Sequence, residues 1–203
     1  TRAGSINNEV IRYIDDYDGI NPLFLWTHYM DTHHPYLPEP KYQDLPFVPD
    51  ISKWQMIRLA AKIDLIKRED YLIENISDNA IRNLRALYRA QVNRVDDAVG
   101  RVMDALKKND LYNDALIIIM SDHGDEFIEH GMLRHSPSLY DELIHVPLII
   151  KPPADEDTHV EVITGLTSYQ DIAPTVLDFA GLRPPEKMQG KSVRSSLQTG
   201  ETN

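Results

Sequence analysis

The run Leu116-Ile117-Ile118-Ile119-Met120 constrains the fold more than any other stretch of the 203-residue sequence. It is continuous rather than alternating and rich in β-branched residues, the pattern of a strand buried on both faces. Such strands belong to sheets covered by helices. Ile81, Leu84, Leu87, Val92, Val95, Val99, Val102 and Leu106 recur in steps of three and four and predict one long helix over 78–108, with Asp78 able to cap its start. From Val92 the steps imitate a coiled-coil seam, but too few heptads keep the pattern, so a helix packed on a sheet is favoured. Ile6, Val10, Ile11 and Ile14 predict a first helix ending near Asp18-Gly19; residues 54–66 predict another, and Gln170–Ala180 a further one stopped by Gly181. Leu23-Phe24-Leu25-Trp26 has strand length, as does Val146-Pro147-Leu148-Ile149-Ile150, with Pro147 near its start where a missing donor is tolerated. The prolines at 35, 38, 40, 46 and 49 imply a loop, and the polar tail after Leu182 reads as loop as well. Strands alternating with helices give the fold class: α/β, with a mainly parallel or mixed sheet flanked by helices, in a single domain over 1–203.

Composition narrows the chemistry. The absence of cysteine excludes disulfides and thiolate metal sites, so a metal must be held by His and carboxylates. It leaves the compartment open, with a soluble, cytoplasmic chain favoured. A net charge of −11 argues against nucleic acid or an anionic membrane as partner. No apolar run approaches the roughly 18 residues of a membrane span. An acidic protein that takes an anionic substrate needs local positive charge, which a metal ion with Arg and His around it supplies. The chain opens Thr1-Arg2-Ala3-Gly4, with no Met and no targeting pattern, and reads as a piece of something longer.

Ser121-Asp122-His123-Gly124 follows the buried run directly, and ligands of open α/β sheets bind outside the carboxyl ends of strands. Asp122 offers carboxylate oxygens and His123 a neutral imidazole, two ligand types that suit a divalent ion. Gly124 lets the backbone turn at once. The bland reading is a polar turn with a capping Asp.

The wider pattern resembles the sulfatases. From Leu116 to Lys151 their order of strand, Ser-Asp-His/Asn-Gly, Glu-His-Gly, basic residue, Leu-Tyr-Asp/Glu-Glu and Val-Pro-Leu-Ile-Ile strand is matched, through Glu129-His130-Gly131, Arg134-His135 and Leu139-Tyr140-Asp141-Glu142. Upstream, Phe24–Tyr36 is similar to the family's strand and Asp-Pro-His-x-Pro-Tyr turn, and the linking helix carries a similar Asn93-Arg94-Val95-Asp96. The resemblance covers most of residues 20–180 and implies a partial alkaline-phosphatase-like domain acting on sulfuric esters. It implies Asp122 and His123 as metal ligands, for Ca²⁺, Mg²⁺, Mn²⁺ or Zn²⁺. His33 and His135 would be catalytic and substrate-binding, contacting the sulfuryl group or the leaving oxygen. Arg134 would steer the anion or simply be solvated. His33, Asp122, His123 and His135 are expected in one cleft.

Two departures bear on this. Thr32 stands where the turn usually has Pro, and His123 where many sulfatases have Asn, which leans toward Mn²⁺, Zn²⁺ or Fe. Relatives that cleave phosphate or phosphonate esters also tend to carry Asp-His there, so a phosphoester or phosphonate hydrolase is the alternative, and a non-catalytic anion- or partner-binding module a third. The family's formylglycine nucleophile arises from a Cys/Ser-x-Pro-x-Arg motif that is not in these residues. It is expected upstream, in a missing N-terminal half that would be this chain's partner. The chain alone is expected to be inactive and, with two ligands, to hold an ion loosely. An exposed sheet edge would allow oligomers.

Bland readings fit the other histidines. His28 and His34 are spectators beside His33; His145 and His159 are surface residues; His130 either braces the loop or touches substrate. Glu126 and His130 lie four apart, but without a second such pair a bundle-type di-iron site is disfavoured. Asp15, Asp16 and Asp18 mark a helix end.

Overall fold

The computed structural model describes residues 3–64, 76–135, 138–158 and 162–200. They form two compact units: Thr1–Asp110 with Ser121–Pro147, and Leu111–Met120 with Leu148–Asn203.

The first unit is organised by a long helix. Helix α1 spans Ala3–Asp15, α2 Pro40–Gln43, α3 Lys53–Asp64 and α4 Asp78–Lys108. Ser77, not Asp78, caps α4: its hydroxyl accepts from the Ala80 amide, and Asp78 sits in the first turn facing the helix dipole. The apolar stripe of α4 holds in its first half, where Leu84 and Leu87 join Tyr36, Met56, Ile63, Phe127 and Leu133 in the core. Beyond that the buried face belongs to Ala90, Gln91, Arg94, Ala98 and Ala105, while Val92 is exposed. The small side chains let α1 come close enough for Asn7 Nδ2 to donate to the Ala98 carbonyl at 2.7 Å, and Asn7 Oδ1 accepts from the Tyr29 hydroxyl at 2.6 Å. Close approach of two helices, not a valine seam, therefore decides the second half of the face.

Leu23–Trp26 forms no strand, and Phe24 and Trp26 are 72% and 83% exposed. A strand exists only through a ladder, and among the described residues none pairs with this run. After Ser121 come β2 (Glu126–Phe127), β3 (Leu133–Arg134) and α5 (Asp141–Ile144), which make a short hairpin and a helical turn out of what reads as loop. Ile128 and Gly131 take left-handed conformations in the hairpin turn, and the Ile128 amide donates to the Met132 carbonyl at 2.8 Å.

In the second unit β1 (Ile117–Met120) pairs antiparallel with β4 (Leu148–Lys151), Ile117 opposite Lys151. The strand pairs among the described residues are antiparallel, so the parallel part of the expected sheet is not among them. With a single partner strand among the described residues, β1 is half-buried rather than enclosed. Lys151 donates to the carbonyls of Asn113 and Ala115 at 2.9 and 3.0 Å. Helix α6 (Ile172–Phe179) follows a 3₁₀ turn at Tyr169–Asp171 and ends as the sequence predicts: Gly181 is left-handed, its amide donates to Asp178 and that of Leu182 to Leu177. Helix α7 (Arg194–Thr199) corrects the reading of the tail as loop. It is held through Thr175, whose hydroxyl accepts from the Val193 amide at 3.0 Å. No helix among the described residues is long and apolar enough to cross a membrane.

Asp171 joins these pieces. Its carboxylate accepts from the Ser168 and Lys191 amides, both at 2.8 Å, and from the Ser168 hydroxyl. Partial burial opposes its charge, but these donors outweigh it and hold the carboxyl below its ordinary value. A lowered native pKa means stability that is full above the unfolded value, near 4, and lost as pH falls through the native one. Asp171→Ala is therefore expected to cost about 1–2 kcal/mol at neutral pH, and the difference from wild type in urea melts to shrink on acidification. A pH-independent difference would count against the carboxylate as its source.

Candidate active site

The candidate site lies in the first unit, where the turn after Met30 meets the loop after Ser121. An aromatic wall fixes the turn. Tyr36 packs edge-on against Tyr88 of α4 with ring centres 5.5 Å apart, and both rings lie against Phe127 of β2. Arg85 of α4 holds the hairpin by donating to the Phe127 carbonyl at 3.1 Å and to Glu129 at 2.6 Å. Behind the turn, the Asp31 carboxylate receives Arg94 of α4 at 3.0 Å and the Ala3 amide at 2.8 Å. His33 is thus carried on a short segment anchored at both ends.

Three imidazoles converge there. The His135 ring centre lies 5.1 Å from that of His33 and 4.4 Å from that of His123. Each has an acceptor at Nδ1: the His34 carbonyl for His33 at 2.6 Å, the Gly124 carbonyl for His123 at 2.9 Å, and Asp125 Oδ1 for His135 at 3.2 Å. A hydrogen on Nδ1 leaves Nε2 as the free lone pair, the arrangement that prepares an imidazole for a metal or a substrate atom. Asp122 is exposed; its Oδ1 accepts from the His123 amide at 3.0 Å, and its Oδ2 lies 3.8 Å from His123 Nε2. The pair fits a divalent ion in donor chemistry and in reach, and His123, Asp125 and His135 also bring ligand atoms within 4.8 Å of one another.

Two residues that the sequence does not single out as site residues, Tyr36 and Asp125, set this geometry. The Asp125 side chain is almost wholly buried, and its Oδ2 accepts from the Tyr36 hydroxyl at 2.6 Å. Burial first, and then the neighbouring Asp125 charge, push the Tyr36 phenol well above its ordinary range, so it stays a donor. Tyr36, Asp125 and His135 form one chain of hydrogen bonds. The only sequence signal was the position of Asp125 directly after Gly124. Gly124 itself serves close approach as well as turning: a Cβ there would lie 2.0 Å from the Glu142 carbonyl oxygen.

Arg134 is half-buried and left-handed at φ 66°, opposite Glu126 in the hairpin, and its charge reaches Tyr36. His34 is buried edge-on against Tyr36, while His28 and His145 are exposed. His159 lies outside the described residues. His130 braces the loop, between Glu126 and Glu142 and stacked on Tyr140.

The profile of the sulfatase family matches residues 5–182. Mouse arylsulfatase K is 34% identical over 127 residues, which are 63% of this chain and 22% of that protein. The multifunctional alkaline phosphatase superfamily protein PehA of Trinickia caryophylli is 27% identical over a 208-position alignment, covering 94% of this chain and 40% of that one. The chain thus spans well under half the length of these relatives. Among solved structures, the phosphonate monoester hydrolase of Agrobacterium radiobacter superposes with a TM-score of 0.75 at 27% identity, covering 100% of this chain and 43% of that one. A family match running from the first helix to the end of α6, over a strand, motif and helix order that the structure keeps, leaves one assignment: the chain belongs to the sulfatase family.

Proposed function

We propose that this chain supplies the histidine- and metal-bearing part of a sulfuric ester hydrolase, and that the formylglycine nucleophile and the remaining metal ligands come from sequence outside these 203 residues. The observation that carries the reading is the convergence of His33, His123 and His135, each with its Nδ1 already occupied. Asp122 and His123 would hold a divalent ion, whose charge would polarise the nucleophile and the sulfuryl oxygens. His33 would present Nε2 toward the ester and, with both ring nitrogens carrying hydrogen, offset negative charge on the sulfuryl group. His135 is placed to give a proton to the ester oxygen as the S–O bond breaks, so that an alcohol leaves rather than an alkoxide. Asp125 would hold the His135 ring in place through Nδ1, and Tyr36 fixes the other carboxylate oxygen. Arg134 draws the anionic substrate toward an otherwise acidic surface.

Asp122-His123 and the likeness to a phosphonate monoester hydrolase favour a second reading, in which the same groups act on a phosphonate or phosphate ester. The experiment compares aryl sulfate, aryl phosphate and aryl phosphonate. The purified chain should turn over none of them, because the covalent step has no nucleophile here. A protein uniting this chain with the nucleophile-bearing segment should prefer the sulfate, and His135→Gln should lower its kcat about 10²–10⁴-fold. Preference for the phosphonate moves the conclusion to the second reading. Steady metal-dependent turnover by the chain alone overturns the division of labour.

A further inference from the structure

A second cluster lies in the same unit and has no part in the proposed chemistry. Glu126, at the start of β2, has a fully buried side chain. His130, in the hairpin turn, places Nδ1 3.3 Å from Glu126 Oε1 and 3.4 Å from Glu142 Oε2, the latter on α5. These ligand atoms all lie within 4.8 Å of one another.

The arrangement does not close as a hydrogen-bonded one. An imidazole Nδ1 carries at most one hydrogen, which lies in the ring plane and serves one oxygen. The ring cannot turn to share it, because it is stacked on Tyr140 at 3.6 Å and 6°. Glu126 Oε1 takes that position, while Oε2 of the same carboxylate accepts from the Ser138 hydroxyl at 3.2 Å. Glu142 Oε2 is left: its atom is buried, aimed at His130 Nδ1, and has no hydrogen-bond partner. Setting a buried carboxylate beside a second, partly buried one whose inner oxygen is unmet is costly unless positive charge stands between them.

A metal ion meets all three atoms at once, as one hydrogen cannot. A tetrahedral ion with bonds of about 2.0–2.1 Å sets neighbouring ligand atoms about 3.4 Å apart, and His130 Nδ1 stands 3.3 and 3.4 Å from the two carboxylate oxygens. A six-coordinate Mg²⁺ would bring them to about 3.0 Å and prefers oxygen throughout. One imidazole and two carboxylates are ligands for a borderline first-row ion. We infer that Glu126, His130 and Glu142 form a Zn²⁺-type site, separate from the Asp122–His123 pair, that staples β2, the hairpin turn and α5 together. Its role is structural: it fixes the loop from which Asp125 and His135 project. It stands whether or not the proposed ester hydrolysis is right.

The test is Zn²⁺ titration of the 203-residue chain by calorimetry, with the visible spectrum of Co²⁺ as a report on coordination. The Asp122→Ala/His123→Ala double variant leaves this cluster intact. It should bind one Zn²⁺ with a dissociation constant near micromolar or tighter, and its Co²⁺ form should show the intense bands of a four-coordinate ion. Glu142→Gln should weaken that binding at least about tenfold, the effect of losing one charged ligand. His130→Gln, checked for native far-UV dichroism, repeats the measurement should Glu142→Gln fail to fold. The inference is overturned if the double variant shows no saturable binding below about 100 μM, equivalent to roughly 5.5 kcal/mol. It is equally overturned if the bound ion is indifferent to both Glu142→Gln and His130→Gln.

Discussion

Replacing Arg94 by methionine is expected to remove about 3–5 kcal/mol of stability, a large share of the 5–15 kcal/mol that holds a domain folded. Arg94 and Asp31 face each other with side chains only 6% and 3% exposed, and the second guanidinium nitrogen reaches Glu39 at 3.0 Å. One arginine therefore clamps both ends of the segment that carries His33, His34 and Tyr36. Methionine fills similar volume but leaves the Asp31 carboxylate buried, with the Ala3 amide still donating to it. The cost comes from that stranded charge, not from the lost attraction. Arg94→Lys keeps a charge but cannot present two nitrogens in a fork, so it should recover only part of the loss. Arg94→Met combined with Asp31→Leu should recover more than lysine does, since the buried carboxylate is then gone together with its arginine and the remaining Glu39 is half exposed. Urea melts with an unchanged slope and a shifted midpoint would measure all three. If the double variant is no better than Arg94→Met alone, the buried charge is not what Arg94 is there to balance.

The parts of the fold that were legible in the sequence are those fixed by local chemistry. The stop of α6 at Gly181 needed only the rule that a left-handed residue ends a helix. The first half of α4 needed only the spacing of Leu84 and Leu87. The second half was misread because apolarity is not the only way to bury a face. At Ala90, Ala98 and Asn7 what matters is how near another helix can come, and no single-helix pattern contains that. Leu23–Trp26 failed for a related reason: its residues have the character of a strand, but a ladder is a property of two segments.

The candidate site divides in the same way. The turn after a strand singles out Asp122 and His123 by itself, whereas His33 and His135 come from the resemblance to the sulfatases. Asp125 was passed over because its meaning lies in Tyr36, 89 positions away, and in burial that an acidic loop residue does not advertise. In the sequence Glu126 and His130 stand four apart, and without a second such pair that spacing argues against a metal site. The third member, Glu142, arrives through α5, and only the fold brings it to His130.

Gly124→Ala tests how tightly that loop is held, and it should damage function more than stability. Gly124 donates its amide to the Leu143 carbonyl at 2.9 Å, which brings its α-carbon against the backbone of Glu142. A methyl group there would sit 2.0 Å from the Glu142 carbonyl oxygen and 3.1 Å from its carbon, and neither is the end of a flexible side chain. The loop must retreat by more than about 1 Å to restore ordinary contact distances of roughly 3.5 Å. Overpacking of this kind costs about 1–3 kcal/mol. The retreat also moves both neighbours: His123, whose Nδ1 is set by the Gly124 carbonyl, and Asp125, which sets His135. In the protein joined to its nucleophile, a displacement of that size should lower kcat/KM about 10²-fold. Gly100→Ala is the control, because a methyl group in α4 at that position meets nothing within 4 Å. It should stabilise the helix by about 0.5–1 kcal/mol and leave turnover alone. Equal melts for Gly124→Ala and wild type, with turnover intact, would show that the loop has slack and that its closeness to α5 does not position the histidines.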